Sequence, residues 1–574
     1  MKSFSVVVLV LLLGLAAGEI KNKGWWKNAV FYQVYPRSFM DSNGDGTGDL
    51  EGIRNKLQHF KDTGITGIWL SPINKSPMVD FGYDISDFRD VDPIFGNLDN
   101  VRSLLKDAKA LGIKVILDLV PNHTSDQHTW FQQSLNRTGK YTDYYIWSDG
   151  KKNENGTMVP PNNWVSVFNG TGWTLDKRRN QFYFHQFYYQ QPDLNYTNPD
   201  VQNEMKEIIK YWLDIGMDGF RIDAVPHLFE GDITKDEPAA TTIPEGAKPG
   251  YDHVTLNHTI TKDQPETYEL MKSWREFVDK YADERNQTEK VLLTEAYTSW
   301  DNTLKYYNYG SNVPFNFKFI TDADAKSNAK DFKMIIDRWI QGTPKDGVSN
   351  WVMGNHDRVR IATRYPGRAD HMVMLEMILP GVAVTYYGEE IGMEDNSTLR
   401  VFDFRDGCRT PFQWDGSANA GFSKAKETWL PVHSNYKSLN LEQQKNTQGS
   451  HYNLYTELIK LRKGNVLTNG TVTTAVLNND VLAVIREQNQ EAVTLLMNFN
   501  QEKSVSVNLT GLVSQQLNQI KLKSTGAKAT VGGIVDRSLI EVPQGAALVL
   551  VKSGATMMSL SFLSFLLLIL FYRP

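Results

Sequence analysis

The chain predicts an α/β protein: a (β/α)8 TIM barrel with a domain inserted after the third strand and a C-terminal antiparallel β-sandwich. Three observations lead there. Short β-branched or apolar runs alternate with amphipathic helical stretches, as a parallel sheet with right-handed crossovers requires. Four of these runs break into charged residues at their C-terminal ends, the edge on which a β/α barrel carries chemistry. They are DLVPNH at Asp118–His123, GFRIDAVPH at Gly219–His227, LLTEAY at Leu292–Tyr297 and MGNHD at Met353–Asp357, the last continuing Trp351 and Val352. From Val472 to Val551, β-rich runs alternate with turn residues and helical periodicity is lost. With 574 residues, 41% hydrophobic and 22% charged, the chain can fill a barrel and further domains.

The N-terminus reads Met1-Lys2-Ser3, an apolar run from Phe4 to Leu15, then Ala16-Ala17-Gly18. A charged start, a short apolar stretch and small residues predict a secretory signal over 1–18. The first part of the barrel spans 19–123. Its first strand runs from Val30 to Tyr35, followed by a helix with Ile53, Leu57 and Phe60 on one face. The second strand is Gly67 to Leu70, and the next helix aligns Val101, Leu104, Leu105, Ala108 and Leu111 before Gly112 stops it. The third strand is Lys114 to Val120. Residues 124–190 are rich in Asn, Gly, Tyr and Trp without clear periodicity, and so long a break in the alternation predicts an inserted domain.

Alternation resumes over 191–470. A helix carries Val201, Met205, Ile208, Ile209 and Trp212, strands follow at Gly219, Val291, Phe315, Trp351 and Val382, and a last helix spans Tyr452 to Lys463. The sandwich is expected over 471–552, with strands Val481–Ile485, Ala492–Met497, Val505–Leu509 and Ala547–Val551. Small residues Ser553, Gly554 and Ala555 precede a terminal apolar run, Leu560 to Tyr572, too short for a comfortable span. That pattern over 553–574 predicts a GPI-attachment signal, hence a mature protein on the extracellular face of the plasma membrane, or secreted if the tail is cut without lipid.

Sequons at Asn136, Asn155, Asn169, Asn257, Asn286, Asn396, Asn469 and Asn508 agree with a secretory route; Asn74, Asn122 and Asn195 match the pattern but are expected to stay bare. One cysteine, Cys408, excludes an intrachain disulfide. A net charge of -5 argues against nucleic acid as a partner and is compatible with a neutral sugar.

The four charged segments resemble the signature regions of the α-amylase superfamily, glycoside hydrolase family 13, and more narrowly its α-glucosidases, the insect maltase and oligo-1,6-glucosidase branch. The resemblance runs from about Trp25 past Trp414 and makes the insertion similar to that family's domain B. It implies Asp223 as nucleophile, Glu295 as acid/base and Asp357 as stabiliser of the oxocarbenium-like transition state. Retaining enzymes hold the first two carboxyl groups roughly 5 to 5.5 Å apart. Arg221, two residues before Asp223 in an extended segment, faces the same way and is expected to keep Asp223 ionised. Asp118 is expected to orient Arg221. The resemblance further implies His123, His356, Asp80, Tyr83 and Arg409 as sugar-binding residues, and Arg221 is expected among the substrate-binding set with them. Asp80 and Arg409 would close one end of the site, which predicts release of single glucose units.

QPDLN at Gln191–Asn195 is similar to the motif of this branch, and Ala224 after the nucleophile accompanies preference for α-1,4 bonds there. Maltose and short malto-oligosaccharides are the expected substrates, with sucrose a further candidate. Asp41, Asn43, Asp45, Thr47 and Asp49 place oxygen ligands at alternate positions in a Gly-rich loop that resembles the branch's calcium loop, so a structural Ca2+ is expected. Two other readings stand beside the hydrolase: a noncatalytic or dual-role surface receptor on the same fold, which would bind a lumenal protein, and a transglucosidase or sucrose isomerase.

Overall fold

The computed structural model describes residues 19–515 and 517–553. The signal sequence expected over 1–18 and all but the first residue of the anchor signal expected over 553–574 lie outside the described residues. No helix among the described residues is long and apolar enough to cross a membrane.

Eight parallel strands form the barrel: Val30–Val34, Gly67–Leu70, Lys114–Leu119, Gly219–Ile222, Val291–Thr294, Val313–Pro314, Asn350–Val352 and Val382–Tyr386. Their lateral order is 6-5-4-3-2-1-8-7. Side chains complete the circle between the sixth and seventh strands: Asn350 accepts from Asn316 N–H (2.8 Å) and donates to Pro314 O (2.6 Å). Alternation along each strand sorts the side chains. Phe31, Trp69, Ile116, Leu293, Val313, Val352 and Val384 fill the barrel interior as one cluster, while Val30, Tyr32, Ile68 and Ile222 join the core beneath the helices. The expected barrel elements are present within a residue or two, except that the first helix is broken at Lys56 into Leu50–Asn55 and Leu57–Thr63, and the residue expected to lie in the sixth strand, Phe315, falls just beyond it.

The stretch after the third strand folds as helix Thr129–Leu135 and a three-stranded antiparallel sheet of Trp147–Ser148, Gln181–Phe184 and Trp173–Asp176, over an aromatic core of Trp164, Trp173, Phe182 and Phe184. A second excursion, between the fourth strand and helix Pro265–Glu284, packs against it: Trp164 donates to Lys235 O (3.0 Å), and Asn163 exchanges hydrogen bonds with Glu237.

After helix His451–Arg462 comes a five-stranded antiparallel sheet ordered Thr471–Leu477, Val481–Gln488, Glu491–Asn498, Ala547–Val551, Gln519–Lys523. One face, with Leu482, Val484, Leu495 and Val549, joins the barrel core. The other, with Val481, Ala483, Leu496 and Leu548, packs under the ribbon formed by Val505–Val507 and Ile540–Val542.

Candidate active site

The C-terminal ends of the third, fourth and fifth strands converge on one buried cation. Register pairs Arg221 with Asp118 on one side and Leu293 on the other, so side chains from three neighbouring strands point into the same mouth. Arg221 Nη1 donates to Asp118 Oδ1 (2.8 Å) and Asp223 Oδ1 (2.5 Å), and its Nη2 lies 3.3 Å from Glu295 Oε2. Trp69 lies beneath the guanidinium, 5.0 Å from ring centroid to Cζ. Asp118 also accepts from the Tyr83 hydroxyl (2.9 Å), and Tyr83 stacks on His356 with centroids 5.2 Å apart and planes 2° from parallel. Asp118 therefore orients Arg221 and Tyr83 from below.

Ala224, immediately after Asp223, leaves the strand in a left-handed conformation, φ 47° and ψ 33°. The turn aims its N–H at Glu295 Oε2, 2.8 Å away.

These residues open into a cavity of about 340 Å³, in the range that holds a small ligand. Asp80, Tyr83, His123, Asp223, Glu295, His356 and Asp357 all line it. His123 lies 3.0 Å from Tyr83 O and 3.1 Å from the Gln191 amide, which also donates to Asp80. Phe168 of the insertion, with Phe187 and Phe404, supplies apolar lining.

Two of the residues expected to bind substrate do not line the cavity: Arg221 lies beneath it, on Asp118, Asp223 and Glu295, and Arg409 lies outside it. Arg409 is fully buried, donating from Nε to His356 O (2.8 Å) and from Nη2 to Asp357 Oδ1 (3.1 Å). Arg405, at the other end of the short turn Asp406–Arg409, lines the cavity instead, with Nη2 2.7 Å from Asp80 Oδ1 and Nη1 3.3 Å from Asp357 Oδ1. The two arginines flank one short turn and converge on Asp357 Oδ1, but only Arg405 reaches the cavity, where it closes the end of the site expected for Arg409.

A model of the alpha amylase catalytic domain matches residues 33–470. The chain belongs to the alpha-amylase family. It is 48% identical over 489 residues to Maltase 1 of Drosophila virilis, covering 81% of this chain and 77% of that one. It is 43% identical over 539 residues to the salivary alpha-glucosidase of Aedes aegypti, covering 89% and 91%. Among solved structures, the alpha-glucosyl transfer enzyme XgtA matches 92% of this chain and 99% of its own with a TM-score of 0.80 at 32% identity. This alpha-amylase family member is a glycoside hydrolase.

In this hydrolase the charges are unevenly matched. Burial raises the pKa of Asp223, and the nearby Glu295 and Asp118 push the same way against Arg221. Arg221 acts on Asp223 in the expected direction, but one guanidinium serves three carboxyl groups. Burial likewise lifts Asp118, opposed by Arg221, to about 6. Asp357 is the opposite case, where burial is overcome by His356, Arg405 and Arg409 and the group is held well below the usual carboxylate range. Burial lowers His123 to about 4 and His356 to about 3, so both are neutral hydrogen-bonding groups near neutral pH.

Around the expected calcium loop, Asp41 accepts from the N–H groups of Asn43, Gly44 and Gly46 and from the Ser423 hydroxyl. Asp49 accepts from Ser42 and caps helix Leu50–Asn55 through Gly52 N–H. Asn43 and Asp45 bond each other, and Asp45 accepts from Thr47 N–H. Among the described residues no three His, Cys, Asp or Glu are grouped as metal ligands. The donors are hard oxygens, which suits calcium, but Asp41 and Asp49 would have to exchange N–H and O–H partners for it. Two sequons expected to stay bare are committed elsewhere: the amides of Asn74 and Asn122 are buried and donate to Phe88 O and Asp193.

Arg405, Phe168, Phe187, Tyr297 and Arg358 line the cavity without having been singled out as site residues. The signal for Arg405 was its place in the same RDGCR segment as Arg409, and for Tyr297 and Arg358 their places at the end of LLTEAY and just after MGNHD; for Phe168 and Phe187 the sequence offered none.

Proposed function

We propose that the protein is a retaining, exo-acting α-glucosidase releasing glucose from the nonreducing ends of maltose and short α-1,4 malto-oligosaccharides, with sucrose a further substrate. The observation that carries this reading is the pairing of Asp223 and Glu295 on one arginine, in a cavity whose far end is closed by the Asp80–Arg405 ion pair. Asp223 attacks the anomeric carbon as Glu295 delivers its proton to the leaving oxygen, giving a glucosyl ester on Asp223. Water then gives Glu295 a proton and attacks the same carbon, freeing Asp223 with net retention. Asp357, held ionised, faces the positive charge that builds on the sugar ring, and neutral His123 and His356 offer hydrogen bonds to hydroxyls. The test is product analysis with maltose, isomaltose, sucrose and starch, reading by NMR which glucose anomer forms first. Initial release of β-glucose, or internal cleavage of starch, overturns the reading.

A second reading, glucosyl transfer to a sugar acceptor, is favoured by the likeness to XgtA; the ratio of transfer products to free glucose measures it. We further propose that the 41–49 loop takes Ca2+ and that the mature chain is GPI-anchored outside the cell. Release of active enzyme from intact cells by phosphatidylinositol-specific phospholipase C tests the anchor. Enzyme that stays bound, with Leu560–Tyr572 still present by mass spectrometry, would overturn it.

A further inference from the structure

Behind the closed end of the active-site cavity lies a second cavity of about 450 Å³, lined by Arg37, Val79, Phe81, Tyr188, Phe402 and Asp403 among others. Two chain segments form the wall between them and present side chains to both. In one, Asp80 lines the active site while Val79 and Phe81 line the second cavity; in the other, Phe404 and Arg405 line the active site and Asp403 the second cavity. Met78 and Phe81 hold left-handed backbone, φ 65° and 51°. Such strain in side-chain-bearing residues persists where the surroundings fix the conformation and clusters at ligand sites. Arg405 spans the wall, 2.7 Å from Asp80 Oδ1 and 2.6 Å from Asp403 Oδ2.

Arg37 is the independent observation. Its Nε is buried without a hydrogen-bond partner, and its guanidinium stands 4.4 Å from the Trp429 ring and 5.7 Å from the Phe81 ring. Phe402, 58% exposed, stacks on Trp429 with centroids 6.1 Å apart and planes 21° from parallel. A half-buried cation lacking an acceptor, a carboxylate and exposed ring faces thus meet in one cavity.

We propose that this cavity is a second saccharide-binding site. A pyranose would lay its C–H face on the exposed Phe402 ring, offer hydroxyl oxygens to Arg37 and donate hydroxyl protons to Asp403. A simple anion would satisfy Arg37 but face Asp403 as a like charge, whereas a neutral polyol supplies acceptors and donors together. Since Asp403 and Asp80 share Arg405, sugar in one cavity changes the hold on the other, and by linkage the effect is reciprocal.

The inference rests on the glucosidase reading only in taking maltose as the probe. Maltose is titrated calorimetrically into full-length Glu295→Gln protein, where it binds without turnover. Two equivalents are expected, falling to one when Phe402→Ala or Arg37→Gln is added, with melting temperatures unchanged. Phe402 is exposed, so its truncation leaves the fold intact even if the Arg37 variant does not fold. A single equivalent in the parent, or two retained with Phe402→Ala, overturns the proposal. Failure of the wild-type enzyme to hydrolyse maltose counts against the glucosidase reading alone, since the second equivalent is read in an inactive background.

Discussion

The backbone N–H of Ala224 donates to Oε2 of Glu295 over 2.8 Å, tying the residue after the proposed nucleophile to the proposed acid/base. The bond exists because Ala224 sits at φ 47°, a left-handed conformation that is a true outlier for β-branched side chains. Ala224→Val should therefore do two things. It should shift turnover from maltose toward isomaltose, since one pocket contact discriminates substrates by roughly 1 to 3 kcal/mol. It should also lower the melting temperature, whereas Ala224→Gly, free of the steric cost, should not. An unchanged maltose to isomaltose ratio would place specificity elsewhere, in the inserted domain.

Asp223→Asn and Glu295→Gln should each leave a folded protein with almost no activity. General acid catalysis alone contributes about 10² to 10⁴-fold. Burial and the neighbouring carboxyl groups oppose Arg221 at Asp223, so replacing its charge with an amide should cost the fold little. Hydrolysis near the wild-type rate in either variant, in protein with a wild-type melt, would remove the assignment.

The two arginines of RDGCR should separate cleanly. Arg405→Ala opens the cavity end at Asp80 and should raise KM for maltose; it also leaves Asp80 and Asp403 without their shared cation and should lower stability. Arg409→Ala removes a fully buried cation that donates to His356 O and Asp357, and should lower the melting temperature while Asp357 keeps Arg405 and KM changes little. Matching melts with a KM effect confined to Arg409→Ala would restore Arg409 as the sugar ligand.

That exchange shows where the sequence was legible. Asp118, Asp223, Glu295 and Asp357 could be read because strand ends are short, apolar and periodic, so a charged residue there stands out, and the barrel brings them together whatever the loops do. Arg405 could not be separated from Arg409 because the chain between Tyr386 and Leu441 follows neither helical nor strand period. The excursion from Leu228 to Gln264 escaped for the same reason: its order comes from contacts such as Glu237 with Thr259, Ile260 and Thr261, which no local pattern encodes. Strands Thr471–Leu477 and Gln519–Lys523 lie at sheet edges with many polar residues, so their apolar signal is weak.

Calcium should raise the unfolding temperature if the 41–49 loop takes it, because a ligand of the native state alone stabilises by mass action. The present hydrogen bonds of Asp41 and Asp49 set the competing state. Chelation without a thermal shift, and no calcium in elemental analysis of the purified protein, would leave the loop as a capped turn.

Glu389 links pH to the base of the site. It is buried after the eighth strand, Oε2 accepts from Tyr386 N–H over 2.9 Å, and Oε1 has no partner. It also explains Gly354 of MGNHD, where a Cβ would meet Glu389 Oε1 at 2.3 Å. Burial is the main force lifting this carboxyl, to about 7, and Glu390 adds to it. A carboxyl raised above its unfolded value near 4.5 holds more protons in the native state between those two values. Its contribution is therefore full at low pH and is lost as pH rises through about 7. Glu389→Gln, which keeps the acceptor for Tyr386 but cannot ionise, should gain on wild type as pH rises, each unit of raised pKa being worth about 1.4 kcal/mol. The measurement is the difference in melting temperature between variant and wild type at pH values below 4.5 and above 7. If that difference does not change with pH, Glu389 does not titrate in this window.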